Sequence, residues 1–189
     1  PQRLAELQSR VQLLESVNKV GYEIRFLFRT DDSQSVQVKD ATVKALTDAG
    51  FKATPVPTTV ANYTADRDNP DKDINLRSVT WCSDWPSGAT WLPPTYGSTH
   101  AEKTGSLGAN YTAFNHKAVD QQIAAVQQLP LEQQPAAWNK LDESIMKKYF
   151  PLFPTYYSGT AMAHGSAIMG DANDSTLGMP TWRNIWVKQ

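Results

Sequence analysis

One carboxylate stands between two indoles in the run Trp81-Cys82-Ser83-Asp84-Trp85-Pro86. A carboxylate at the end of a strand can hold an ammonium group through a charge-assisted hydrogen bond. Indole rings make flat apolar walls that exclude water while tolerating many shapes. Backbone groups from Ser78 through Thr80 to Trp81 could pair with an extended ligand by strand addition. The same residues also read as ordinary structure, with tryptophans anchoring a core or loop and Asp84 closing a turn or capping a helix.

Other reactive residues carry less. Cys82 is alone, so no internal disulfide and no thiolate metal cluster can form. It reads as a small buried apolar thiol beside Trp81, with no base nearby to activate it. His100, His116 and His164 are far apart and lack metal-ligand spacing, so each reads as a surface or capping histidine. Arg67 lies in a polar loop and reads as a solvated surface cation. Asn62-Tyr-Thr64, Asn110-Tyr-Thr112 and Asn173-Asp-Ser175 fit the glycosylation pattern and carry almost no functional weight. No Gly-x-Ser-x-Gly elbow, phosphate-cradling loop or Gly-x-Gly-x-x-Gly turn is present. The pair Asp31-Asp32 sits at a helix start, where capping explains it. No catalytic residue, metal or cofactor is therefore expected. The rival class is a glycan-binding or glycan-active protein using exposed Trp and Tyr. A glycosidase would need two facing carboxylates about 5–9.5 Å apart.

The elements around these residues follow from periodicity. Leu4, Leu7, Val11, Leu14 and Val17 form one helical stripe over residues 2–18. Alternation predicts a strand at 22–29, and a capped helix runs from Asp32-Ser33 to Gly50. A further strand follows at 51–57, giving a parallel βαβ unit. Residues 58–73 read as a polar loop and 74–82 as a buried strand. A long irregular stretch, 83–115, packs over the sheet edge. Helices are predicted at 117–129 and 132–149, a strand at 152–157, irregular chain at 159–180 and a strand-like tail at 182–187.

Forty per cent of the 189 residues are apolar, with six Trp, seven Tyr and six Phe, which describes a globular chain. A formal net charge of −1 offers no basic face, so nucleic acid is not an expected partner. No segment reaches the roughly 20 apolar residues of a membrane span, and no leader pattern is read. The chain opens at Pro1 and not at Met, which reads as a processed or partial product.

The segment Asp73-Ile-Asn-Leu-Arg-Ser-Val-Thr-Trp-Cys-Ser-Asp-Trp-Pro86 resembles the strand and turn of peptide-type solute-binding proteins of ABC importers, the family of oligopeptide, dipeptide and nickel receptors. Collinear segments resemble it too: Asp48-Ala49-Gly50-Phe51 after a helix, Asn115 followed by Val119-Asp120 and a helix, Pro151-Leu-Phe-Pro-Thr-Tyr-Tyr157, and the tail Pro180-Thr-Trp-Arg-Asn-Ile-Trp-Val187. The resemblance covers roughly residues 20–189. The run Trp85-Pro86-Ser87-Gly88 departs from it where many relatives carry a further acidic residue.

The resemblance implies an α/β fold with a mixed sheet flanked by helices, as in one lobe of a type II periplasmic binding protein. Residues 1–20 would be an N-terminal helix, 21–158 the lobe, and 159–189 a crossover packed on a missing N-terminal lobe. It implies a substrate-binding component, not an enzyme, that captures peptides or similar solutes outside the membrane, with a lipid anchor, for an ABC permease. Asp84 would hold the ligand amine, Trp81 and Trp85 its walls, Ser78 and Thr80 its backbone, and Arg67 a ligand carboxylate.

Overall fold

The computed structural model describes residues 9, 11–69, 71–98, 103, 107–155, 161–174 and 176–189. The chain forms two compact units, Pro1–Val79 with Ala101–Tyr111, and Thr80–His100 with Thr112–Gln189.

The first unit is built on the expected βαβ. Strand β1 (Glu23–Arg29) pairs in parallel with β2 (Lys52–Thr58), from Glu23 opposite Lys52 to Arg29 opposite Thr58. Before β1, residues 9 and 11–16 are helical (α1) while 17–18 turn, so the expected 2–18 helix ends at residue 16; Leu4 and Leu7 lie outside the described residues. Between the strands runs α2 (Ser33–Asp48), whose N-terminal amides of Gln34 and Ser35 donate to the Asp32 carboxylate. Asp32 thus satisfies donors that a helix start leaves without partners. Gly50 ends the turn at φ 90°, a left-handed conformation that favours glycine.

Pro55 and Pro57 sit in β2 without breaking it, because β2 is the edge of the β2-β1-β3 sheet and pairs on one side only. Phe26 and Leu27 of the central strand are buried, and so are Ile74 and Leu107 of the same unit.

The third strand is much shorter than the predicted 74–82. β3 is Leu76–Arg77 alone, opposite Phe26 and Leu27 of β1. Asn75 extends the attachment by other means: its side-chain oxygen accepts from the Arg25 amide and its side-chain nitrogen donates to the Glu23 carbonyl. Beyond Arg77 the chain leaves the ladder, and Ser78, Val79, Thr80 and Cys82 are exposed. The expected buried Cys82 is corrected by the same fact, since its thiol is exposed. The polar stretch after β2 is not all loop, for Tyr63–Asp68 forms helix α3.

The second unit is helical at its core. A 3-10 turn, Gly88–Thr90, leads into α4 (Leu92–Tyr96), so the 83–115 stretch is more regular than expected. Helices α5 (Lys117–Gln127) and α6 (Gln134–Tyr149) follow as predicted. Leu92, Tyr96, Val119, Ile123, Val126, Trp138, Leu141 and Ile145 form one buried cluster. Each large side chain so buried stabilises the unit by about 1.5–3 kcal/mol. Val119 is buried in this cluster, and Asp120 beside it accepts from the amide (3.0 Å) and hydroxyl (2.7 Å) of Ser98, which ties the end of α4 to the first turn of α5.

The predicted 152–157 strand is absent from 152–155, while Tyr156 and Tyr157 lie outside the described residues. Phe150 closes α6 in a left-handed conformation, and Pro151 and Pro154 remove two ladder donors, leaving Phe153 85% exposed. The terminal stretch carries two small antiparallel ladders, β4 (Ile168–Met169) with β7 (Trp186–Val187) and β5 (Asn173–Asp174) with β6 (Met179–Pro180). The tail expected as a strand is thus a 3-10 turn at Trp182–Asn184 before β7. The parallel and antiparallel pairings of this α/β fold lie in separate sheets. No helix among the described residues is long and apolar enough to cross a membrane.

Candidate functional site

The segment that opens with Asp73 is pinned to β1 by charge. The Arg25 guanidinium lies 2.5 Å from the Asp73 carboxylate and donates to its carbonyl. Past β3, the six residues singled out in the sequence divide between the units: Arg67 and Ser78 belong to the first, and Thr80, Trp81, Asp84 and Trp85 to the second.

In the first unit Arg67 is engaged on every side. It lies on α3, not in a loop, and its guanidinium bonds the neighbouring Asp68 carboxylate at 2.6 and 3.1 Å. That ion pair is the main cause raising its already high pKa. The same group lies 4.2 Å from the Tyr111 ring centroid and 5.9 Å from that of Tyr63, at distances of cation–π attraction. Tyr63 in turn donates its hydroxyl to the Ser78 carbonyl at 2.6 Å. Burial raises the Tyr63 pKa, a cost to ionisation that the nearby arginines only partly offset. Arg77, within the run read as strand, donates to the carbonyls of Arg67 (2.6 Å) and Ile74 (2.7 Å). Tyr63, Asp68, Arg77 and Tyr111 were missed by sequence reasoning. Arg77 alone gave a signal, as a cation inside an apolar run.

In the second unit the residues around Asp84 form an open loop. Thr80, Asp84 and Trp85 are exposed and Trp81 is half-buried. Residues 80–83 make no backbone–backbone hydrogen bond among the described residues. The Trp81 indole N–H donates to the Thr90 carbonyl at 2.9 Å, so Trp81 anchors the loop. Trp85 presents its ring to solvent, 57% exposed. Among the described residues the arrangement offers a carboxylate without a side-chain or backbone partner, an exposed aromatic surface and a run of peptide groups without backbone partners. Such a set can hold an ammonium, an apolar side chain and an extended backbone.

The chain matches no protein-family model and no curated protein by sequence. Its structure, however, aligns with solved binding proteins. The clavulanic acid biosynthesis oligopeptide binding protein 2 matches 95% of this chain at a TM-score of 0.80 and 16% identity, over 33% of its own length. The fold is that of peptide-type solute-binding proteins. The substrate-binding domain of an oligopeptide ABC transporter from Bacillus anthracis shares it over 97% of this chain, at a TM-score of 0.65 and 15% identity. The periplasmic binding protein DppA of Helicobacter pylori, solved with the peptide STSA, shares it over 94% at 0.66 and 13%. The chain spans about a third of the length of each of these solute-binding structures.

The histidines stand apart from the loop. His116 is half-buried against Tyr149 (4.4 Å between centroids) and Phe114 (6.2 Å), and makes no side-chain cap bond although it sits at the start of α5. His164 is exposed and lies 2.8 Å from Asp171; the Gly165 carbonyl and then Asp171 raise its pKa. His100 lies outside the described residues. Asn110 is 1% exposed, which removes it as a glycosylation acceptor, and Ser175 of the third such pattern lies outside the described residues.

Proposed function

We propose that this chain is the second-lobe part of an extracytoplasmic peptide receptor, which captures a peptide or similar small solute and delivers it to an ABC permease in the membrane. One observation carries the reading: Asp84 and Trp85 are exposed beside a backbone run without ladder partners. The solute-binding fold, found here in likeness to a structure solved with a peptide, supports it.

In this reading the Asp84 carboxylate receives the ligand amine and Trp85 covers the first side chain. The Thr80–Ser83 backbone pairs with the peptide main chain. The ion pair and ring contacts of Arg67, and the bond from Tyr63 to Ser78, serve the first unit itself. A further lobe closes over the ligand, residues 159–189 pack against that lobe, and a lipid tethers the full-length protein outside the membrane.

The test is calorimetric titration of the full-length gene product with trialanine and with N-acetyl-trialanine. Loss of a charge-assisted hydrogen bond costs about 1.5–3 kcal/mol, or roughly ten- to a hundredfold in affinity. Asp84→Asn should lose that much affinity for trialanine and little for the acetylated form. Equal binding of both peptides by native protein and variant would end the proposal.

A further inference from the structure

Neither Asp84 nor Trp85 has an anchor of its own: among the described residues the Asp84 carboxylate accepts no hydrogen bond or ion pair, and the Trp85 indole N–H donates to nothing. Their placement therefore depends on the backbone between them and the core. That backbone is closed on one buried side chain, Thr90, 3% exposed. The Thr90 hydroxyl shares its proton between the carbonyls of Ser87 (3.0 Å) and Trp85 (3.3 Å). Its own carbonyl receives the Trp81 indole N–H. Ser87 closes the ring further, its amide donating to the Trp85 carbonyl at 2.7 Å and its hydroxyl accepting from the Ala89 amide at 3.2 Å.

The ring is seated on the core through Gly88. A Cβ there would lie 2.5 Å from the Cβ and Cγ of Trp138, itself 3% exposed on α6. Only glycine lets the loop rest this closely on the helix. A rigid path thus runs from Trp138 through Gly88 and Thr90 to the carbonyl of Trp85.

We propose that Thr90 and Trp81 are positioning residues, which hold the Asp84-Trp85 pair ready before ligand arrives, and that Trp81 is a strut and not a ligand wall. The proposal rests on the peptide-binding reading above. Preorganisation of this kind lowers the ordering cost of binding.

The test compares Thr90→Val, which keeps the shape and removes the hydroxyl, with Thr90→Ser, which restores it, and with Trp81→Phe. Full-length protein is titrated with trialanine and N-acetyl-trialanine, and amide exchange is followed at Ser87. Thr90→Val and Trp81→Phe should each weaken trialanine binding about tenfold, the scale of one lost hydrogen bond. The acetylated peptide should change less, so the preference for a free amine shrinks. Ser87 should exchange faster in Thr90→Val, and Thr90→Ser should keep the native preference and exchange. Native preference in Thr90→Val, or equal impairment in Thr90→Ser, overturns the positioning role alone if Asp84→Asn still loses the preference. Absence of any preference in the native protein overturns the receptor reading, and this proposal with it.

Discussion

Tyr96 is 1% exposed, and among the described residues its hydroxyl reaches the Met146 sulfur, at 3.6 Å. Burial, with the negative charge of Asp142 adding to it, pushes its pKa from 10.0 up to about 12. An unfolded chain would release this proton near pH 10, while the folded chain keeps it to about pH 12. Across that interval the unfolded state binds fewer protons, so stability falls as pH rises. Tyr96→Phe removes the step. Urea midpoints measured at about pH 9 and about pH 11 should drop less in Tyr96→Phe than in the native chain. Single residues also mark what could be read from sequence. Asp84 and Trp85 were legible as candidates because an acid between two indoles is a conspicuous pattern. Thr90 was not, since a threonine in a polar stretch carries no sign that its hydroxyl closes a loop. Cys82 misled because an apolar neighbour, Trp81, suggested a buried strand.

Among the elements, the βαβ unit was the most legible, because each part announces itself locally: alternation in β1, oxygens at the start of α2, glycine at its end. Asp32 both caps α2 and pairs with Arg29 at 2.7 Å. Asp32→Ala should cost about 1 kcal/mol in urea unfolding, and Asp32→Asn, which keeps the capping oxygen, should recover most of it. The strands after β2 were overread for a physical reason. Apolar runs at 74–82 and 152–157 satisfy a strand pattern, but a strand exists only where a partner ladder runs alongside. At 74–82 the pairing covers only Leu76 and Arg77, opposite Phe26 and Leu27. At 151–155 two prolines withdraw the donors. Helices α5 and α6 escaped this error because their hydrogen bonds are internal, and their apolar stripes pack with Leu92 and Tyr96 in one buried cluster.

Over the whole molecule, apolar groups remain in solvent along the terminal stretch: Trp182 at 69%, Trp186 at 54%, Val187 at 62% and Met179 at 41%. Scattered exposed residues are ordinary, but neighbouring ones on short ladders suggest a covering surface. Under the proposed receptor, that cover is the further lobe. The paired change Trp182→Ser with Trp186→Ser should therefore reduce binding of an apolar dye by the isolated chain. The same pair should destabilise the full-length protein, read as a lower thermal midpoint, more than it does the isolated chain. The single cysteine of the sequence lies exposed two positions before Asp84. A thiol-reactive fluorophore will therefore label this chain at one defined point, and under the proposed receptor its emission would report solute arriving at the proposed amine seat.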